Sequence, residues 1–330
     1  MRSLAARTLL CLAACSTWHG SIANTAENKA SSGDYPARPV RFVVPFPPGG
    51  ADTVARIVGH KLTETTGQQF VIDNRPGAGS TIGTAVVAHA ANDGHTTLFA
   101  TSAFAISAAS YRKLPYDSLR DFAPVAPIAS APLLLVVHPS VAAGSVKELI
   151  ALAKAKPNAL NYASNGSGSI TFLAAELLKS MAGVRITEVA YKGAGPSLTA
   201  LLAGEVQLMV APLGPSLPHV RTGKLKALGV PSAQRSALFP ELPTIAESGL
   251  PGFEAVNWYG VLVPRGTSQR VIRVLNQYIV TALESSEVRE RFAQLGYEPT
   301  PGMPEQFGRQ VREEIDKWAR LIKDAGIPQN

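Results

Sequence analysis

Three glycine-rich turns, each between an apolar strand and a helix, carry the clearest chemistry in this chain. They span Val43 to Asp52, Val71 to Gly83 and Leu160 to Ser169. A turn of this kind leaves backbone N–H groups free beside the positive end of the helix dipole. Those groups bind a small anion without a metal ion or an arginine. The turns therefore indicate binding of an anionic ligand rather than catalysis.

The residues around the first turn predict a strand–turn–helix unit. Arg41 to Phe46 is a nearly continuous apolar run, typical of a strand covered on both faces of a parallel sheet. Prolines end that strand, and an apolar stripe at helical spacing then continues to Gly67. The unit repeats after the second turn, where the pattern predicts a helix with a buried stripe formed by Ile82, Ala85, Val86 and Ala90. Alternating strands and helices imply a parallel sheet whose turns meet at the carboxyl edge.

The later units predict a second lobe and a return to the first. A proline-rich stretch from Pro124 to Pro132 precedes another continuous apolar strand, and two amphipathic helices follow a strand that begins near Trp258. We therefore assign residues 35–127 and 236–330 to lobe one and residues 128–235 to lobe two. Two crossings between the lobes imply a hinged cleft, which commonly encloses a ligand.

The first residues are typical of an exported protein. Residues 1–23 read as a signal peptide with a short apolar run, and residues 24–34 as a flexible leader. Leu12 to Cys15 also resembles a lipobox, in which Cys15 is lipidated; alternatively Cys15 is one more apolar residue of the signal. Both interpretations place the protein outside the cytoplasmic membrane, in the periplasm. Cleavage after Ala23 removes both cysteines, so the fold must be stabilised by core packing.

Composition restricts the remaining classes of function. The 330 residues are 46% hydrophobic and 17% charged, which is enough to bury a core and argues against disorder. The formal net charge is +7, but the basic residues are scattered along the chain and no run of five occurs. We therefore expect a basic soluble surface and no nucleic-acid partner. The histidines show no metal-ligand spacing, and we expect no metal. No dinucleotide fingerprint is complete, so we expect no cofactor.

Six ordered motifs together resemble the Bug family of periplasmic solute-binding receptors, of the TctC type associated with tripartite tricarboxylate transporters. The motifs are, in chain order, YPxRP from Tyr35, VPFPPGG from Val44, NRPGAG from Asn74, LPYD from Leu114, LNYAS from Leu160 and YKG from Tyr191. The likeness covers almost the whole chain after the leader.

The resemblance implies an α/β fold of the type II periplasmic-binding-protein class, in which each lobe is a mainly parallel sheet flanked by helices. It implies a monomeric receptor that captures a small carboxylated ligand between the lobes. The receptor would deliver this ligand to the membrane subunits of a tripartite tricarboxylate transporter, or to a sensor. It implies no enzymatic activity and no cofactor.

The resemblance also implies which residues contact the ligand. Those of the first turn are Phe46, Gly49, Gly50, Ala51 and Asp52. Those of the second turn are Pro76, Gly77, Ala78 and Gly79. Those of the opposite lobe are Ser164, Gly166, Ser167, Gly168 and Ser169. Neutral amides can bind a carboxylate without a lysine.

Three positions depart from the family pattern. Ser80 stands where a third glycine is frequent, Phe172 where a histidine is common, and Ala211-Pro212 where many members carry an acidic or amide residue. These changes make the distal pocket less polar, unless other residues compensate. We therefore expect a dicarboxylate, or an aromatic or apolar monocarboxylate, rather than an amino acid.

Several alternatives stay open on the residues alone. An exported hydrolase would use Ser164, Ser167 or Ser169 as its nucleophile, although no G-x-S-x-G elbow occurs. A structural envelope protein would bind no ligand. Asp52 is either a contact for a ligand or an acid of the first helical turn, and Trp258 either stacks on a ligand or belongs to the core.

Overall fold

The computed structural model describes residues 35–166, 168–236 and 239–329. The predicted signal peptide with Cys15, the predicted leader and the site residue Ser167 lie outside the described residues. Eleven strands are found among the described residues: β1 Val40–Val44, β2 Phe70–Asn74, β3 Thr96–Thr101, β4 Phe122–Ala131, β5 Leu133–Val137, β6 Asn161–Ser164, β7 Thr187–Ala190, β8 Leu208–Pro212, β9 Lys226–Gly229, β10 Asn257–Pro264 and β11 Glu298–Pro299.

Ten α-helices surround these strands, again within the described part of the chain. They are α1 Gly50–Thr66, α2 Thr81–Ala88, α3 Ser102–Ser110, α4 Val146–Ala155, α5 Ile170–Ala182, α6 Ala194–Leu202, α7 Leu213–Arg221, α8 Gln269–Glu284, α9 Ser286–Leu295 and α10 Pro304–Asp324. A short 3-10 turn at Ala78–Ser80 precedes α2.

The strands form two mixed sheets that share one pattern. The first has the order β11-β4-β10-β3-β1-β2 and the second the order β7-β6-β8-β5-β9. In the first sheet β1 to β4 run in one direction, and β10 lies antiparallel between β3 and β4. In the second sheet β6 to β9 run in one direction, and β5 lies antiparallel between β8 and β9. In each sheet four strands therefore share one direction; the strands that oppose them are β10 and the short edge strand β11 in the first sheet, and β5 in the second.

The carboxyl edges of the two sheets are joined directly. β4 ends at Ala131 and β5 begins at Leu133, so Pro132 alone separates them. The amide of Leu213, at the carboxyl end of β8, donates to the carbonyl of Pro132 at 2.9 Å. The helices that follow β1, β2 and β3 therefore begin close to the edge from which α5, α6 and α7 begin. The proposed lobe boundaries themselves stay a prediction.

Strand β4 was not expected, because its prolines suggested a boundary. Its pairing with β10 shifts register between Tyr259 and Gly260 and again between Val261 and Leu262. A proline resumes the pairing after each shift, since Pro127 lies opposite Gly260 and Pro124 opposite Leu262. Proline has no N–H to donate, and irregular positions of this kind tolerate it.

The predicted buried stripe of α2 is wrong by about one residue. Ile82 is 52% exposed and Val86 is 36% exposed, whereas Gly83, Thr84 and Val87 are buried. The reason is the close approach of Gly83 to the backbone at Pro45 and Arg75, which turns that face of the helix inward. Within the described residues, no helix combines the length and the hydropathy that crossing a membrane requires.

Candidate functional site

The first turn presents free amides at the start of α1. The amide of Thr53 donates to the carbonyl of Gly49 at 2.7 Å, which closes the first helical turn. No side chain caps this helix. The amides of Gly50, Ala51 and Asp52 donate to no other described residue. Because they lie at the positive end of the helix dipole, they are suited to an anion.

The second turn is held in an unusual backbone conformation. Four successive residues have positive φ, namely Gly77 at 130°, Ala78 at 44°, Gly79 at 61° and Ser80 at 81°. The left-handed region is costly for alanine and serine, and such strain is concentrated at functional sites. A glycine would adopt the φ of Ser80 without this cost. Within the described residues, the amides of Ala78 and Gly79 have no acceptor.

The structure brings these two turns together. The Nδ2 of Asn74 donates to the carbonyl of Phe46 at 3.0 Å, and the amide of Arg75 donates to the carbonyl of Val44 at 2.8 Å. A Cβ at Gly83 would lie 2.7 Å from the Arg75 oxygen and 2.9 Å from the Pro45 Cα. Only glycine therefore permits α2 to pack this closely beneath both turns.

The third turn differs, because its polar groups are largely bonded to one another. The Ser164 hydroxyl is fully buried and donates to the carboxylate of Glu188 at 2.5 Å. The Ser169 hydroxyl donates to the carbonyl of Gly166 at 2.6 Å and accepts from the amide of Phe172 at 3.2 Å, which caps α5. Gly168 is exposed. No hydrogen bond among the described residues joins this turn to the first two, so its role in binding stays a prediction.

Glu188 is an acidic group that sequence reasoning did not place near this turn. It lies on the edge strand β7, opposite Tyr162 of β6. Its contact with Ser164 shows that the neighbourhood of the third turn contains a carboxylate, even though Phe172 and Ala211 are apolar.

Asp52 belongs to the first turn of α1, where its carboxylate is mostly buried and accepts from the Nε of Arg56 at 2.9 Å. This hydrogen bond holds the pKa of Asp52 below its usual range, and Asn74 contributes in the same direction. The Oδ1 of Asp52 is buried and has no hydrogen-bond partner among the described residues. The placement favours the helix-dipole role, and the unpaired oxygen leaves a contact with a ligand open.

The lowered pKa of Asp52 predicts a loss of stability in acid. Because the pKa of Asp52 is lower in the folded state than the unfolded value of about 3.9, ionised Asp52 contributes stability above that pH. This contribution is lost as the pH falls through the folded-state pKa. We expect Asp52→Asn to be less stable than the wild type at pH 7. This difference in the free energy of unfolding should shrink below about pH 4, as measured by urea titration. A difference that stayed constant down to pH 2 would contradict this account.

Polar side chains that the sequence did not reveal surround the first two turns. The Ser107 hydroxyl donates to the carbonyl of Gly79 at 2.7 Å, and a Cβ at Gly79 would lie 3.0 Å from the Tyr111 hydroxyl. A Cβ at Gly50 would lie 3.3 Å from the Tyr297 hydroxyl and 3.7 Å from that of Tyr259. These residues come from distant parts of the chain, and only the folded sheet edge assembles them.

Two further side chains, Trp258 and Arg75, have structural roles here. Trp258 is 3% exposed and packs edge to face on Phe307, with ring centroids 5.4 Å apart, as expected for a core residue. The exposed Arg75 is paired with Asp73, at 3.0 Å. Neither residue is needed to explain the free amides.

One group of metal-ligating side chains lies away from the turns. The donor atoms of His60, Glu64 and Glu287 lie within 4.8 Å of one another, and all three residues are exposed. The Lys61 ammonium contacts both carboxylates at 2.9 Å. Because Lys61 already forms ion pairs with both carboxylates, this exposed cluster does not point to a metal.

Two mainly parallel sheets joined at their carboxyl edges, with uncapped helix starts along that edge, define a solute-binding protein of the two-sheet α/β class. A family model described as "Tripartite tricarboxylate transporter family receptor" matches residues 54–327. The chain belongs to this TctC family and is a solute-binding receptor.

Similar proteins span nearly the whole chain. "Protein BugT" of Bordetella pertussis is 39% identical over 299 residues, which is 90% of this chain and 92% of that protein. A solved structure described as R. palustris Rpa4515 with adipate is 39% identical, with a TM-score of 0.77 over 89% of this chain and 99% of the other. MatC of Rhodopseudomonas palustris with bound malate is 35% identical, with a TM-score of 0.73 over 87% of this chain and 100% of the other. The predicted family and fold class are thereby confirmed.

Proposed function

We propose that this receptor binds a small carboxylate through the amides of its first two turns. The observation that carries the proposal is that the amides of Gly50, Ala51, Asp52, Ala78 and Gly79 have no acceptor among the described residues, on two turns that hydrogen bonds hold side by side. Unpaired N–H groups beside a helix start require an acceptor, and a carboxylate supplies two oxygens.

The arginine of the second turn and the arginine one helical turn after Asp52 are already paired. Arg56 is bonded to Asp52, and Arg75 is bonded to Asp73. Backbone amides are therefore the main donors to the ligand, with Pro76 and Gly77 shaping the second turn. Two similar structures are described with adipate and with malate, both dicarboxylates. We therefore favour a dicarboxylate, or an aromatic or apolar monocarboxylate, over an amino acid.

The third turn would close on the far end of the ligand. The carboxyl edges of both sheets adjoin at Pro132, and this supports a cleft between lobe one and lobe two. We propose that Gly166, Ser167, Gly168 and Ser169 contribute there, through their backbone more than through their side chains, because the Ser169 hydroxyl is already bonded to Gly166.

We propose that binding is not followed by catalysis. A nucleophilic serine needs a neighbouring base such as histidine. The Ser164 hydroxyl instead donates to Glu188, and among the described residues no histidine is bonded to Ser164 or Ser169. Membership of a receptor family supports the same conclusion.

The same family membership supports a place in the periplasm. The receptor would act as a monomer and pass its ligand to the membrane subunits of a tripartite tricarboxylate transporter, or to a sensor. Export through a signal peptide and lipidation at Cys15 remain proposals about residues outside the described part of the chain.

Two measurements on the purified protein test the proposed function. Native mass spectrometry should find a bound acid of low mass that is released unchanged on denaturation. Calorimetric titration of the emptied protein with adipate, malate, benzoate and glutamate should give saturable binding for at least one acid other than glutamate. Binding of no carboxylate would contradict the proposal, and tightest binding of glutamate would overturn the assignment of ligand class. Hydrolysis of an ester substrate that is lost on replacing Ser169 would favour the hydrolase alternative.

A further inference from the structure

A chain of side-chain hydrogen bonds runs along the carboxyl edge of the first sheet toward the first turn. It starts at Ser102, whose hydroxyl donates to the Oδ1 of Asn257 at 2.8 Å. The Nδ2 of Asn257 donates in turn to the hydroxyl oxygen of Tyr259 at 3.4 Å. The Tyr297 hydroxyl, the last of the series, donates to the carbonyl of Gly50 at 3.5 Å.

The direction of these bonds leaves the Tyr297 hydroxyl with only a long hydrogen bond. Because Asn257 donates to the Tyr259 oxygen, the Tyr259 proton points elsewhere, and the neighbouring Tyr297 oxygen can accept it. The two tyrosine rings pack edge to face with centroids 5.7 Å apart. The remaining proton is that of Tyr297, and its contact with Gly50 is longer than the usual 2.5–3.0 Å of an O–H···O bond. A better acceptor near Gly50 would therefore take this proton.

Both tyrosines are neutral donors. Burial raises the pKa of Tyr259, and the Tyr297 hydroxyl raises it further. Burial also raises the pKa of Tyr297. Each hydroxyl therefore keeps its proton at neutral pH and can donate to a carboxylate without adding a fixed charge to the site.

The segment that carries Tyr297 contacts helix α7 and the loop at Ser236. A Cβ at Gly296 would lie 3.4 Å from Leu213 and 3.5 Å from the Gly214 Cα, at the start of α7 in the second sheet. On the other side, Glu298 accepts from the Ser236 hydroxyl at 2.6 Å. Tyr297 is thus positioned beside the first turn by contacts that do not involve the turn itself.

We propose that Tyr297 donates a hydrogen bond to the ligand carboxylate at the first turn and so determines specificity from outside the glycine-rich turns. The inference rests on the proposed function, because it assumes that a carboxylate occupies the amides of Gly50 to Asp52. The hydroxyl can donate to a carboxylate oxygen, and because it is neutral it offers an ammonium group no counter-charge. The ligand end at this turn is accordingly its acid.

Tyr297→Phe tests this inference, because it removes the hydroxyl and keeps the ring that packs on Tyr259. A hydrogen bond to a charged acceptor is worth enough for the dissociation constants of adipate and malate to rise about tenfold or more, measured by calorimetry at pH 7. Tyr278→Phe is the matched control, since Tyr278 is a partly buried tyrosine of α8 that packs in the same core. It should leave both constants unchanged.

The outcomes separate the inference from the proposed function. If Tyr297→Phe binds the acids more weakly but unfolds at the same temperature as the Tyr278→Phe control, the result supports a direct contact between the Tyr297 hydroxyl and the ligand. Unchanged affinity in Tyr297→Phe, while the wild type binds, overturns the inference and leaves the proposed function standing. If Tyr297→Phe is itself unstable, Asn257→Ala replaces it and should weaken binding by loosening Tyr259. A wild type that binds neither acid, and carries no copurified acid, overturns both.

Discussion

Gly79→Val should abolish carboxylate binding while the protein remains folded. Gly79 has a φ of 61°, and a Cβ there would lie 3.0 Å from the Tyr111 hydroxyl. A β-branched residue disfavours this conformation by about 1–2 kcal/mol, so the turn would rearrange. Rearrangement would redirect the amides of Ala78 and Gly79. Loss of two hydrogen bonds to a charged acceptor corresponds to roughly 3 kcal/mol or more, which is a decrease in affinity of about 100-fold.

Gly67→Val is the matched control for backbone strain. Gly67 also has a left-handed φ, of 70°, at the end of α1, and a Cβ there would contact nothing within 4 Å. This variant should lose comparable stability in thermal unfolding and keep its affinity in calorimetry. Equal losses of affinity in the two variants would mean that strain alone, not the second turn, explains the result.

Gly83→Ala should disrupt both the fold and the site. The added Cβ would lie 2.7 Å from the Arg75 carbonyl oxygen and 2.9 Å from the Pro45 Cα. Backbone atoms cannot move aside as a flexible side chain can, so α2 must withdraw from the two turns. We expect a loss of about 3 kcal/mol in the free energy of unfolding, at the upper end of the usual range for overpacking. Ligand affinity should fall as well, because the turns separate.

Gly59→Ala provides the comparison for Gly83→Ala. Gly59 also lies within a helix, α1, but the nearest atom to its Cβ is the end of the Ile72 side chain at 3.2 Å. That atom can shift, and alanine favours the helix by about 1 kcal/mol over glycine. Urea titration of this variant should show stability close to that of the wild type. If Gly83→Ala were as stable as Gly59→Ala, the close packing of α2 beneath the turns would not matter.

The local part of the site could be predicted from the sequence. A glycine-rich turn after an apolar strand specifies its own conformation, because its amides, its glycines and the helix that follows are adjacent in the chain. The first and second turns therefore lie where Gly49 to Asp52 and Pro76 to Gly79 suggested. The order of the predicted strands and helices indicated a second lobe and a return to the first, and the family resemblance implied the same fold class.

The missed features depend on contacts between distant residues. Tyr297 and Gly50 are separated by 247 positions, and no spacing rule connects them. Strand β4 contains prolines that argue against a strand, and only its irregular pairing with β10 makes them tolerable. The face of α2 was misjudged because Ile82 and Val86 are apolar and Gly83 is small. The close approach of two turns, not hydropathy, decides which face is buried.

For the third turn, the glycine-rich sequence was a weaker guide to the hydrogen bonding of its polar groups. Its sequence resembles the first two, but the Ser164 hydroxyl accepts from the amide of Gly166 and the Ser169 hydroxyl donates to the carbonyl of Gly166, so both hydroxyls stabilise the turn itself. A glycine-rich turn with serines can bond to itself, and the first two turns have fewer hydroxyls with which to do so. Free amides, rather than glycine content, are therefore the better indicator of an anion site.

A crystal structure of the protein with its copurified acid, or with added adipate, tests the central claim most directly. We predict that one carboxylate of the ligand accepts hydrogen bonds of about 2.7–3.2 Å from amides among Gly50 to Asp52 and from Ala78 or Gly79. The ligand should be intact. A carboxylate bound by arginine side chains elsewhere, or a ligand covalently joined to a serine, would contradict the account.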